Sequence, residues 1–212
     1  GVALMQGTCF TVPSGHTPLP SEFEVNVLGG IWRVWSFPAA STDGMAGLLT
    51  AVHTRHLRDV RVSVACALPG RIAQVRLRTG STDLVLLNAY PPPGKLTDSR
   101  CSEAWSSLEA TLLQVPRRST LLLGGDLNAH IAPLIGHNGG CVVGQAPPHR
   151  QCVKGRFLGD LLSRLGLTVV HSHGTRDSST FRNSQGSSRI DFVITRQDDW
   201  CQDRVCGARV LR

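Results

Sequence analysis

The chain has 212 residues, 41% of them hydrophobic, and a mean hydropathy close to zero. These values exclude a disordered tail, a collagen-like repeat and a bundle of membrane helices, because no apolar run approaches the ~20 residues a spanning helix needs. Net charge is +7, carried by 20 Arg and 2 Lys; Arg grips phosphate oxygens in a planar fork, which suits a nucleic-acid partner, although a codon bias toward Arg produces the same composition.

Taken in chain order, short apolar runs rich in β-branched residues predict strands at 2–5, 25–27, 31–37, 48–52, 60–67, 72–77 and 84–89, and again at 120–123, 167–170 and 190–195. Clusters of Pro and Gly separate them. Two segments have helical spacing instead. Trp105, Leu108, Leu112 and Leu113 fall on one face, with Thr97, Asp98 or Ser99 available as N-cap. Phe157, Leu158, Leu161, Leu162 and Leu165 form a second stripe, which Gly166 should stop. Residues 136–152 read as the longest loop. With no linker or repeat, residues 1–212 are expected to form one α/β domain with more strand than helix.

Seven cysteines are scattered without a CxxC pair, so reduced thiols and an intracellular, nuclear or cytoplasmic setting are expected rather than secretion. The chain opens with Gly, not Met, and both ends read as strand interior or an approach to more chain. The expectation is a piece of a longer protein.

Three segments carry candidate chemistry. In Leu121-Leu-Leu-Gly-Gly-Asp126-Leu-Asn128-Ala-His130 an apolar strand runs into a Gly pair and then presents Asp126 and Asn128 on one side. A carboxylate and an amide there can bind a water and a phosphate oxygen, or the segment is a Gly-Asp turn closing a hairpin. In Asn88-Ala-Tyr90-Pro-Pro, Asn88 and Tyr90 share a face at a strand end; the phenol can donate to an oxyanion or pack as a strand-end aromatic. In Thr180-Phe181 and Arg189-Ile-Asp191-Phe, Asp191 interrupts an apolar strand. A carboxylate in that position needs a partner, either a histidine or Arg189 or Arg182.

In this order the segments resemble the endonuclease/exonuclease/phosphatase superfamily, and most closely the apurinic-type endonuclease domain of non-LTR retrotransposons. Ala3-Leu-Met-Gln-Gly7-Thr8 is a weaker match near the start. The resemblance implies a DNase I-like sandwich of two β-sheets flanked by helices, here without its first and last strands. It implies Mg2+ (or Mn2+), which binds hard oxygens and neutralises charge on a phosphate, and DNA as substrate, nicked to prime a reverse transcriptase encoded downstream. Carried over, Asp126 holds the metal or activates water, Asn128 orients the scissile phosphate, Tyr90 donates to it, and Asp191 orients a catalytic histidine. Asn88, His130 and Arg189 are implied beside the substrate.

The chain departs from the family in three places. The metal-binding Glu position is occupied by Gly7. The opening strand with its active-site Asn and the closing Ser-Asp-His motif are both missing from the sequence. A chain short of these groups is expected to be an inactive or weak nuclease, since each lost electrostatic stabiliser typically costs ~100-fold or more in rate. The alternatives are a catalytically dead nucleic-acid-binding remnant, or a phosphatase or RNA nuclease on the same scaffold.

Overall fold

The computed structural model describes residues 1–27, 29–40, 43–136, 140–144, 151–172, 181–183, 186–188 and 190–201. Strands β1 (Val2–Gln6), β2 (Ser21–Val27), β3 (Gly30–Phe37) and β4 (Leu48–His53) form one antiparallel sheet in the order β1-β4-β3-β2. The chain then lays down β5 (Arg61–Leu68), β6 (Ile72–Arg78) and β7 (Asp83–Ala89), crosses over through α1 (Ser99–Gln114), and returns in β8 (Thr120–Asp126). A short hairpin of β9 (Leu134–Ile135) and β10 (Cys141–Val143) precedes α2 (Val153–Leu165). After β11 (Leu167–Val169) come a second hairpin, β12 (Phe181–Asn183) with β13 (Gly186–Ser188), then β14 (Asp191–Arg196) and α3 (Gln197–Cys201). The larger sheet has the order β11-β14-β8-β7-β6-β5, with β7 and β8 parallel and the remaining neighbours antiparallel.

The ten strands and two helices expected from periodicity are all present, eight of the strands within a residue or two at their ends, while β2 starts four residues earlier than expected and β8 runs three residues further, through the Gly pair to Asp126. Asp98 is the helix cap, its side chain accepting from the Arg100 N–H at 3.0 Å. Gly166 ends α2 in the left-handed conformation, φ +61°, where a Cβ would cost about 1 kcal/mol. Two readings need correction. The stretch 136–152 is not one loop, because Cys141–Val143 pairs with Leu134–Ile135. Gly124 and Gly125 are not a hairpin turn; both lie inside β8.

The side chains of β7 explain the layering. Leu86 points between the sheets and meets Trp35, Phe37, Leu48, Val52 and Val75. Val85, Leu87 and Ala89 point the other way, into a second core with Trp105 and Leu108 of α1 and Leu158 and Leu161 of α2. A strand buried on both faces reads as a continuous apolar run, which is what Leu84–Leu87 displays. The result is an α/β sandwich of two sheets with helices packed on the larger one.

A small polar network centred on Asn88 lies in the inter-sheet layer. Asn88 is completely buried. Its amide nitrogen donates to Met5 O in β1 at 3.2 Å and to Leu49 O in β4 at 2.9 Å, and its oxygen accepts from Gln6 Nε2 at 2.7 Å. Replacing Asn88 by Leu keeps the volume but strands two carbonyls and an amide in a dry layer. The expected destabilisation is about 3 kcal/mol, read as a lower urea midpoint with an unchanged slope.

Candidate active site at the strand ends

The carboxyl ends of β7 and β8 and the start of β14 meet at one edge of the sandwich. Asp126 is the last residue of β8 and stands directly opposite Asp191, the first residue of β14. That register places two carboxylates side by side on one face of the sheet. The Gly pair before Asp126 is needed for close approach. A Cβ on Gly124 would stand 2.5 Å from Leu4 Cδ1, and one on Gly125 would collide with the Ala89 carbonyl. Leu4 can give way with its side chain, but at Gly125 the clash is with backbone, and a larger residue there would push β8 away from β7, and Asp126 with it.

Beyond Asp126 the chain is tied down at each residue. Leu127 N–H donates to Ile190 O at 2.8 Å. Asn128 N–H donates to Asp126 Oδ1 at 2.9 Å, and Asn128 Nδ2 donates to Pro91 O at 3.0 Å, binding this turn to the segment after β7. Asn128 has φ +48°, a left-handed conformation that Asn tolerates better than most side chains. The Asp-x-Asn spacing therefore serves a tight turn in which the carboxylate caps the amide backbone two residues on.

Tyr90 follows β7 and is half-buried. Burial and the nearby Asp126 charge push its phenol pKa upward, so it stays protonated at neutral pH. Its ring faces the backbone of Gly7: a Cβ there would stand 3.6 Å from Cε1 and 3.7 Å from the hydroxyl. Gly7 itself has φ +61°, so any other residue at this position would carry about 1 kcal/mol of strain.

His130 lies in the segment between β8 and α2, where its N–H donates to Cys152 Sγ at 3.2 Å and its carbonyl accepts from Cys152 N–H at 3.2 Å. Cys152 is the N-cap of α2, its sulfur also accepting from Gly155 N–H at 3.3 Å. Arg189 lies outside the described residues. Of the residues singled out in the sequence, Tyr90, Asp126, Asn128 and Asp191 come together at this edge. Asn88 lies one layer below and meets only protein. Sequence reasoning missed Arg71, which packs against Tyr90, and its partner Asp43; a lone Arg after Pro69-Gly70 carries no pattern that would mark it.

Burial and the opposed Asp191 raise the Asp126 pKa to about 6. Among the described residues no group of three or more His, Cys, Asp or Glu side chains comes together; the acidic groups at this edge are the pair Asp126 and Asp191. Mg2+ is commonly held by one or two carboxylates, the remaining positions being filled by water and substrate phosphates. A mutually repelling oxygen pair has the chemistry for that ion.

Because the folded pKa of Asp126 lies above the ordinary carboxylate value near 4, ionising it costs the folded state stability. That cost is absent below pH ~4, grows as pH rises to ~6, and is constant above. Asp126→Asn is therefore expected to melt at a higher temperature than the parent at pH 8 in EDTA and at the same temperature at pH 4.

The architecture is similar to that of solved endonucleases. The endonuclease domain of TRAS1, a telomere-specific non-LTR retrotransposon, matches with a TM-score of 0.59 and 21% identity, over 93% of this chain and 72% of that one. The AP endonuclease LMAP from Leishmania major matches with a TM-score of 0.63 and 13% identity, over 92% and 69%. No protein-family model and no curated protein matches the sequence. At these identities the likeness is one of fold: the chain has the DNase I-like fold of endonuclease/exonuclease/phosphatase proteins.

Proposed function

We propose that this chain is a phosphodiesterase domain that nicks DNA with the help of Mg2+ or Mn2+, and that it does so weakly. The observation that carries the reading is the meeting of Asp126, Asn128, Tyr90 and Asp191 at one edge of a DNase I-like sandwich. The +7 charge favours a polyanionic substrate. No helix among the described residues is long and apolar enough to cross a membrane.

Each side chain has a task its surroundings permit. Asp126 and Asp191 would hold the cation, which when bound neutralises charge developing on the phosphate. Asp126 is also placed to orient the attacking water and to take its proton. Asn128 gives one amide hydrogen to Pro91 O; the second can donate to a phosphate oxygen. Tyr90, kept protonated, donates to another. Asp191 faces Asp126 across the strand pair, where a bound cation would offset the repulsion between the two carboxylates. His130 and, from the sequence resemblance alone, Arg189 would contact the DNA. The likeness in fold to the TRAS1 domain favours the priming nick of a retroelement as the setting, with a reverse transcriptase encoded on the same element.

A second reading has its own support. Gly7 supplies no carboxylate where the resemblance calls for one, and among the described residues the acidic cluster stops at two. A DNA-binding domain without chemistry would have the same surface. Supercoiled plasmid separates the two. Slow nicking in Mg2+, absent in EDTA, is expected from the parent chain, with a fall of ~100-fold or more in Asp126→Ala. Binding that weakens steeply with salt, with no nick at any Mg2+ or Mn2+ concentration, would leave the binding domain as the function.

A further inference from the structure

Arg71, just before β6, is 7% exposed. A buried guanidinium is costly unless its donors are satisfied, and here three of its nitrogens are in use. Nε donates to Asp43 Oδ2 at 2.8 Å and Nη2 to Asp43 Oδ1 at 2.5 Å, a two-pronged pair, while Nη1 donates to Tyr90 O at 3.1 Å. The carbon between them lies 4.9 Å from the centre of the Tyr90 ring, within the range of a cation–π contact. The Arg71 carbonyl also accepts from Tyr90 N–H at 2.7 Å. One residue thus holds the backbone of Tyr90 at both polar groups and its ring at the face.

Asp43 connects this grip to the strand end that carries Gly7. Its N–H donates to Ala40 O and its carbonyl accepts from Ala46 N–H, each at 2.9 Å, closing a turn. That turn receives Cys9 N–H on Ala46 O at 3.0 Å and Thr8 N–H on Gly47 O at 3.3 Å. Tyr90 is therefore held between Arg71 on one side and the Gly7 backbone, braced by the Asp43 turn, on the other.

We infer that Arg71 is the positioning residue of Tyr90, fixing the phenol against Gly7 and so toward Asp126 through its planar pairing with Asp43. Lysine does not replace it, because an ammonium cannot fork a carboxylate and lie flat on a ring at once. The positional statement rests on these contacts alone; its effect on catalysis rests on the DNA-cleavage reading.

Tyr90 is the only tyrosine in the chain, so 3-fluorotyrosine labelling yields a 19F signal from this ring alone. In the parent the signal is expected well away from that of the free amino acid. In Arg71→Met and Arg71→Lys it should move most of the way back, and in Asp43→Asn part of the way, while amide spectra show the sheets intact. A folded Arg71→Met whose fluorine signal stays at the parent position would overturn the inference. Should that variant not fold, an unmoved signal in Asp43→Asn would do so. In nicking assays Arg71→Met should lower kcat roughly 10- to 100-fold with little change in KM, and add nothing to Tyr90→Phe. If no variant and no parent cleaves DNA, the cleavage reading fails while the fluorine result still decides the role of Arg71.

Discussion

The two sheets are joined at the site end by a single buried amide. Asn88 satisfies carbonyls of β1 and β4 and takes a hydrogen from Gln6, in a layer that is otherwise mostly apolar. An apolar layer fixes the distance between sheets but leaves their sliding weakly specified, since hydrophobic contact is non-directional. Three directional bonds remove that freedom. Gly7 lies one residue beyond Gln6 and Tyr90 two residues beyond Asn88, so the facing of glycine and phenol is set by the same connection.

Glycine is used at this edge where a side chain would not fit. Gly124 and Gly125 let β8 approach Leu4 and the Ala89 carbonyl, and Gly7 turns the chain through a left-handed conformation beside the Tyr90 ring. These are constraints of space and dihedral angle, independent of chemistry. They also bear on Gly7 at the position of a metal-binding glutamate: a substituted side chain would have Tyr90 as neighbour but would need a backbone that glycine alone adopts cheaply.

Much of the fold was legible because burial imposes period. β7 alternates between two cores, α1 and α2 each present one apolar stripe, and Gly166 and Asp98 stand where helices end and begin. The short pairings were not legible. Two or three residues such as Leu134–Ile135 or Gly186–Ser188 are too few to show a period, and α3 has only five residues. At the site, Asp126 and Asn128 could be read because they stand two residues apart after an apolar strand, although Asn128 lies beyond β8 in a left-handed turn and not on the strand's face as the alternation suggested. Arg71 and Asp43 could not, since their importance comes from two turns that meet only in three dimensions. Asn88 was visible as a residue, yet only the packing shows it turned inward, away from any substrate.

The order in which these pieces come together has a bearing on when chemistry is available. Asp126 and Asp191 belong to strands separated in sequence by a hairpin, a helix, a strand and a further hairpin, and Tyr90 meets Gly7 across most of the first half of the chain. Contacts of such long sequence separation carry a large loop-closure cost and form slowly, after the local turns and helices. A partly folded chain, still emerging from synthesis or opened by thermal fluctuation, holds α1 and the β6–β7 hairpin but neither carboxylate pair nor phenol in register. The complete strand-end edge, with both carboxylates and the phenol in place, is thereby confined to the fully folded state.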